Sequence, residues 1–286
     1  MDIHSWLSNS TTESKDKLYR HRLLKENRKQ RDEVIGELKQ YFYIAHEDAR
    51  QRLKKLLTSD SLDPLDDSAP LKEYGYPEKL PLNNTLKGYF GEVMAALFIE
   101  NFAPFAKNNW QIPAFLFRFD IQAFQYLEEL QQGGNERKVV GRHGNDCLAF
   151  QRNDKNEVTH ILCCEAKCTK NSLNSTLITK AHQQLSKAKI VDIPQIIEVL
   201  QEKKDDFNSQ QWISSLRKLR LSSENYNRYD LVSYVCGQSP EQKSRSAWLD
   251  TSKPHKEYIG KRPLEAVEIH LHNVDKLIKE VYRKQS

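Results

Sequence analysis

Asp146, Glu165 and Lys167 are the residues whose types and spacing best suit chemistry in this chain of 286 residues. They lie in the stretch GNDCLAFQRNDKNEVTHILCCEAK, residues 144–167. Cys147–Phe150 and His160–Ala166 are runs of strand-forming residues, and Asn153-Asp154-Lys155-Asn156 between them supplies a turn. Residues two apart on a strand point to the same face. Glu165 and Lys167 therefore project together, and pairing across the hairpin brings Asp146 beside them. Carboxylate oxygens suit Mg²⁺, which keeps several waters and takes one or two protein carboxylates together with phosphate oxygens. A lysine next to such an ion can orient or deprotonate a water, or hold a phosphate oxygen. The chemistry expected is hydrolysis of a phosphodiester. The competing reading is a hairpin with solvated charges on one face, because the D…ExK pattern is short.

A third carboxylate, Glu92, stands in LKGYFGEVMAALFI, residues 86–99, which reads as a helix with Asn84 or Thr85 as its cap. Gly88, Gly91, Ala95 and Ala96 let this helix pack closely on a sheet. A carboxylate on so apolar a helix is costly unless it is paired or binds a metal. Other polar residues flank the hairpin. His143 could carry a proton, although a hydrogen-bonded loop histidine is the commoner case. Arg142 leads into Asp146, and Lys170 follows the second strand where a phosphate could be touched. Leu177–Ile190 reads as a helix bearing Gln183 and Gln184.

Asp146, followed after 18 residues by Glu165-Ala166-Lys167, resembles the PD-(D/E)XK, or restriction-endonuclease-like, nuclease superfamily. Gly144-Asn145 replaces the proline usual before the first acid. The KGYFGE helix and the GND and EAK signatures also resemble the nuclease subunits of Hachiman antiphage systems. The resemblance spans residues 86–190. It implies an α/β fold with a mixed sheet flanked by helices, and Mg²⁺ or Mn²⁺ held by Asp146, Glu165 and the carbonyl of Ala166. It further implies catalytic roles for Asp146, Glu165, Lys167 and Glu92, with Gln183 or Gln184 steadying the site. The expected substrate is DNA, with RNA not excluded, and the expected partner is a helicase or ATPase subunit. A catalytically silent nucleic-acid-binding or scaffolding subunit, and a small-molecule or RNA phosphodiesterase, remain open.

The elements that must position these residues follow from pattern. Residues 15–58 contain no proline and recur in leucine and isoleucine at roughly helical spacing, which predicts a helical N-terminal extension over 1–58. Within it, Lys15, Lys17, Arg20, Arg22, Lys25, Arg28, Lys29 and Arg31 face only Asp16 and Glu26 in opposition. Such a stripe is compatible with nucleic acid through Arg20, Arg28 and Arg31, or with a solvated or partner-facing helix. Asp, Ser and Pro cluster over 59–85 as a linker, leaving 86–286 as the nuclease-like domain. Ala114–Phe119 reads as a strand, and Gln122–Leu130 as a helix. Pro194–Lys203 and Gln210–Leu219 also read as helices. Tyr229–Cys236 and Ala266–His272 alternate as strands, 237–262 reads as an exposed basic loop, and a closing helix runs to Tyr282.

The net charge is +5, with five cysteines. An odd count without a CxxC pair argues against a disulfide framework and against zinc at Cys163, Cys164 and Cys168. No apolar run is long enough to cross a bilayer, and the first residues lack the basic and apolar regions of a signal peptide, so a cytoplasmic protein is expected. No GxxxxGK[ST] loop is present, so any motor must come from a partner.

Overall fold

The computed structural model describes residues 2–59, 75–80, 82–117, 145–187, 189–190, 192–203, 205–221, 226–240 and 246–282. Among them six strands form one mixed sheet: β1 Leu7–Glu13, β2 Tyr19–Glu26, β3 Cys147–Arg152, β4 Val158–Thr169, β5 Asn227–Cys236 and β6 Leu264–His270. The spatial order is β1-β2-β6-β5-β4-β3. β2, β6, β5 and β4 run parallel, while β1 and β3 are antiparallel to their neighbours at the two edges. Helices cover both faces, so β4 and β6 read as nearly continuous buried runs rather than as clean alternation.

One face carries α2 (Arg31–Ala45), α4 (Lys87–Asn101) and α8 (Val274–Val281) against Leu162, Cys164, Val235 and Ile269. α4 is buried almost all round, which explains its lack of a polar stripe. The other face carries α5 (Ser175–Lys187), α6 (Ile193–Gln201) and α7 (Phe207–Leu221) against Ile161, Cys163, Val232 and Ala266. The short α1 (Ile3–Trp6) and α3 (Glu47–Ser59) complete the helices used below. The expected α/β architecture, a mixed sheet flanked by helices, is therefore present. Among the described residues no helix is long and apolar enough to cross a membrane. All five cysteines are free, and Cys163 and Cys164 face opposite layers.

The N-terminal segment departs from expectation. Residues 7–26 are not helical but form the β1–β2 hairpin, and β2 joins the main sheet beside β6. The basic stripe is dispersed accordingly. Arg22 is buried and donates to Glu265 Oε1 at 2.7 Å. Arg20 lies 3.8 Å from both Glu13 and Glu265. Arg31 donates to both carboxylate oxygens of Glu26 and to the carbonyl of His272. Arg28 alone of Arg20, Arg28 and Arg31 is exposed.

Smaller differences appear elsewhere. Leu86, not Asn84 or Thr85, occupies the cap position of α4, and it makes no side-chain cap bond. Residues 112–117 lack strand pairing, and only Gln111 bridges β3, antiparallel at Phe150. Arg142, His143, Gln122–Leu130 and the rest of the loop before Asn145 lie outside the described residues. The 246–262 segment packs back on the sheet: Tyr19 Oη donates to the Asp250 carbonyl, and Tyr258 and Arg262 donate to the buried Asp230.

The carboxyl ends of β2, β4, β5 and β6 share one edge, the usual ligand side of a parallel sheet. Gly237, just after β5, sits hard against the carbonyl of Lys170, just after β4. A Cβ there would lie 2.1 Å from that oxygen. Gly237→Ala is therefore expected to cost about 2–3 kcal/mol through forced backbone movement. At Gly36, inside α2, an added Cβ meets nothing within 4 Å. Gly36→Ala is expected to gain about 0.5–1 kcal/mol from helix propensity. Thermal melts of the pair check both signs.

Candidate active site

Asp146 immediately precedes β3 at the carboxyl edge. Its N–H donates to the Cys164 carbonyl at 3.0 Å, which extends the β3–β4 ladder past the Cys147–Cys164 pair. Its Oδ2 accepts the Ala166 N–H at 2.8 Å. From the other side, the Asn145 N–H donates to Oδ2 of Asp192, a 1% exposed residue just before α6. The Asp146 carboxylate is thus tied to β4, and the backbone just before it to the residue that precedes α6.

Glu165 and Lys167 project from β4 on the face of α5, and Lys167 Nζ donates to Glu165 Oε1. The same ammonium lies 4.0 Å from Asp146 Oδ2. Glu165 is 4% exposed, while the side chains of Asp146 and Lys167 keep 27% and 22% exposure. Solvent therefore reaches the cluster through Asp146 and Lys167. Burial and the adjacent Asp146 charge push the Glu165 carboxyl well above the usual carboxylate range, against the pull of Lys167. The Asp146 carboxyl also hydrogen-bonds the protonated form of Glu165, so the two acids sit within proton-sharing reach. Burial penalises the Lys167 charge, but Glu165 and Asp146, with a smaller contribution from Glu92, outweigh it and hold the ammonium above its ordinary value. Glu92 therefore lies within electrostatic range of the cluster, although it comes from α4 on the opposite face. Gly91 explains how: its Cα side packs on Cys168 and the Lys167 carbonyl carbon, so the start of α4 abuts the end of β4.

No known protein-family model matches the sequence. No curated protein matches it either. What the site can do is therefore argued from its own groups.

The donor set suits a divalent cation. Two carboxylates are forced together in a buried setting where their like charges already disfavour full ionisation, and a cation offsets that repulsion. Among the described residues no group of three or more His, Cys, Asp and Glu is gathered as a metal-holding cluster. Mg²⁺ needs only one or two protein carboxylates.

The remaining expected residues are placed as follows. Gln183 Nε2 donates to Glu257 Oε2 at 2.7 Å, and Gln184 is exposed. Lys170 is 57% exposed and near Asp275. Three residues not singled out from sequence support the site. Asp192 fixes Asn145. Tyr234 stands opposite Lys167 in the β4–β5 register and is close enough to feel the Glu165 charge. His182 of α5, fully covered, hydrogen-bonds Tyr234 Oη through Nδ1 at 3.0 Å. Burial drives the His182 pKa down to about 4, so it stays neutral at neutral pH. The signal for Tyr234 was its strand; its neighbour depends on strand order, which local pattern does not encode.

Proposed function

We propose that the protein is a metal-dependent nuclease that hydrolyses phosphodiester bonds, with DNA as substrate by family resemblance. The observation that carries the reading is the convergence of Asp146, Glu165 and Lys167 at the carboxyl edge of the sheet. The order of elements adds support: helix α4 on one face, the antiparallel β3–β4 hairpin, α5 on the other face, then β5 parallel to β4. The resemblance leads one to expect an acid-bearing helix before the first strand and a helix after the ExK strand, the positions of α4 and α5. The same resemblance suggests an antiphage effector restrained or licensed by a helicase partner.

Asp146 and Glu165 would hold Mg²⁺ or Mn²⁺, together with the Ala166 carbonyl. When bound, such an ion offsets phosphate charge and makes a water a better nucleophile. Asp146 is held rigidly by the Ala166 N–H and, through Asn145, by Asp192, so its carboxylate costs little reorganisation. In the metal-free site both acids stabilise the Lys167 ammonium. From there Nζ can hold a phosphate oxygen or orient the water by donating to it. Glu92 adds negative charge that keeps Lys167 protonated.

Cleavage of linear and circular DNA and of RNA, with Mg²⁺ and with EDTA, tests the reading. Lys167→Met should lower the single-turnover rate by about 10²–10³-fold, the usual effect of losing one charge-stabilising donor. Lys167→Arg, which keeps the charge, should recover part of it. Binding without cleavage by the wild-type protein in any divalent metal would instead favour a catalytically silent subunit.

A further inference from the structure

A second polar cluster lies at the same edge, on the α4 side. Lys87 is the first residue of α4, 9% exposed, and its Nζ lies 2.9 Å from Asp275 Oδ1. Lys170 follows β4, and its Nζ lies 3.9 Å from Asp275 Oδ2. Asp275 belongs to the first turn of α8, which Asn273 caps. Two ammonium groups from separate elements thus converge on one carboxylate.

The three residues are held by backbone. Lys87 lies one turn before Gly91, on the helix face that packs against Cys168. Cys168 is within electrostatic range of both Lys87 and Asp275. Lys170 stands just past the end of β4, two residues beyond Cys168. Its backbone is locked where Gly237 donates to the carbonyls of Thr169 and Asn171 and leaves no room for a side chain. Lys170 follows Lys167 by three residues, about 10 Å along the chain direction.

We propose that Lys87 and Lys170 form a clamp for one phosphate of a nucleic-acid backbone, with Asp275 as the resident counter-anion that the phosphate displaces. This rests on the nuclease reading for its substrate. Two cations opposed by one anion leave a local excess of positive charge next to the carboxylates. A phosphate accepts hydrogen bonds from both ammonium groups, as the carboxylate does. Because both lysines already meet on a single carboxylate, the clamp takes one phosphate. It lies across the strand edge from Asp146 and Glu165, so it engages a phosphate other than the scissile one.

The test measures affinity of the full chain for fluorescein-labelled DNA oligonucleotides of several sequences in EDTA, across a salt series. Lys170→Gln and the Lys87→Gln/Lys170→Gln pair should weaken binding alike for every sequence, the pair by about tenfold. The slope of log affinity against log salt should flatten by about 1 for the one phosphate lost. Asp275→Asn should tighten binding about threefold or more, because the competing anion is neutralised. Lys87→Gln removes a largely buried ion pair and can unfold the chain. The exposed Lys170→Gln and the isosteric Asp275→Asn therefore each stand as independent tests. Wild-type affinity and slope in both of these variants, with cleavage intact, would overturn the clamp and leave the nuclease reading standing. A wild-type protein that neither binds nor cuts any nucleic acid would overturn both.

Discussion

Asp146→Asn and Glu165→Gln should each lower DNA cleavage by about a thousandfold or more, equal to about 4 kcal/mol of transition-state stabilisation. Both changes keep side-chain size and remove a charge where the acids crowd one another. In Asp146→Asn the amide oxygen can still accept the Ala166 N–H that Asp146 Oδ2 accepts at 2.8 Å. Loss of that bond in an alanine variant would cost about 1 kcal/mol and blur the comparison. Glu165 is destabilised as an anion by burial and by Asp146. Neutralising either acid should therefore leave the melting temperature unchanged or raise it, while Lys167 keeps the remaining carboxylate as partner. Function and stability are expected to move in opposite directions, which a misfolded variant cannot imitate. EDTA should stop the wild-type reaction. If either variant cuts DNA within tenfold of wild type in Mg²⁺, the assignment of the two acids is wrong.

The hairpin was legible because its determinants are local. The turn at Asn153–Glu157 and the two flanking runs pair the strands, and a one-residue register shift between Gln151 and Arg152, which the pattern does not announce, completes the pairing that sets Asp146 beside Glu165 and Lys167. The long helix α4 was legible because residues 93–99 are apolar without a break. β1 and β2 were not, for a reason that the structure makes plain. β1 is an edge strand with one buried residue, Leu7, and shows no apolar alternation. β2 reads YRHRLLKE, yet His21 and Arg22 are both buried. Their partners, Glu268 and Glu265, stand on β6 more than 240 residues later in the chain. Charges that are buried only because a distant strand neutralises them look, in sequence, like a solvated helix face. The same masking hid the role of β6, where Glu265 and Glu268 are 0% exposed although LEAVEIHLH, residues 264–272, suggests polar residues turned to water. Asp192 and Tyr234 escaped notice likewise, since each reaches the site only through strand and helix order.

Glu268→Gln should destabilise the fold by about 3 kcal/mol at neutral pH. Glu268 Oε1 accepts from His21 Nε2 at 3.1 Å and from the Leu249 N–H at 2.7 Å. Oε2 accepts from His270 Nε2 at 2.9 Å and from the Trp248 N–H at 2.9 Å. A glutamine side chain would turn its NH₂ toward one of these donor pairs, leaving donors facing donors. Burial alone would raise the Glu268 pKa, but hydrogen bonds from His21, His270, Trp248 and Leu249 outweigh it and bring it down to about 2. The unfolded value is near 4.5, so the unfolded chain binds the proton more readily between these values. The stabilisation is complete above about pH 4.5 and is lost as pH falls through the folded value. A shift of this size corresponds to about 3 kcal/mol. His182, neutral when folded with a pKa of about 4, adds an earlier acid loss between about pH 6.5 and 4. Wild type and variant share that step, because His182 lies with Tyr234, not with Glu268. Urea unfolding of both proteins from about pH 7 to pH 3 should thus show a gap that is widest near neutrality and narrows below about pH 4.5. Amide exchange at Trp248 and Leu249 should accelerate in the variant, since their N–H groups anchor the 246–262 segment to the sheet. A gap that stays constant down to about pH 3, or unchanged exchange at those two amides, would mean that the charge of Glu268 does not hold the segment in place.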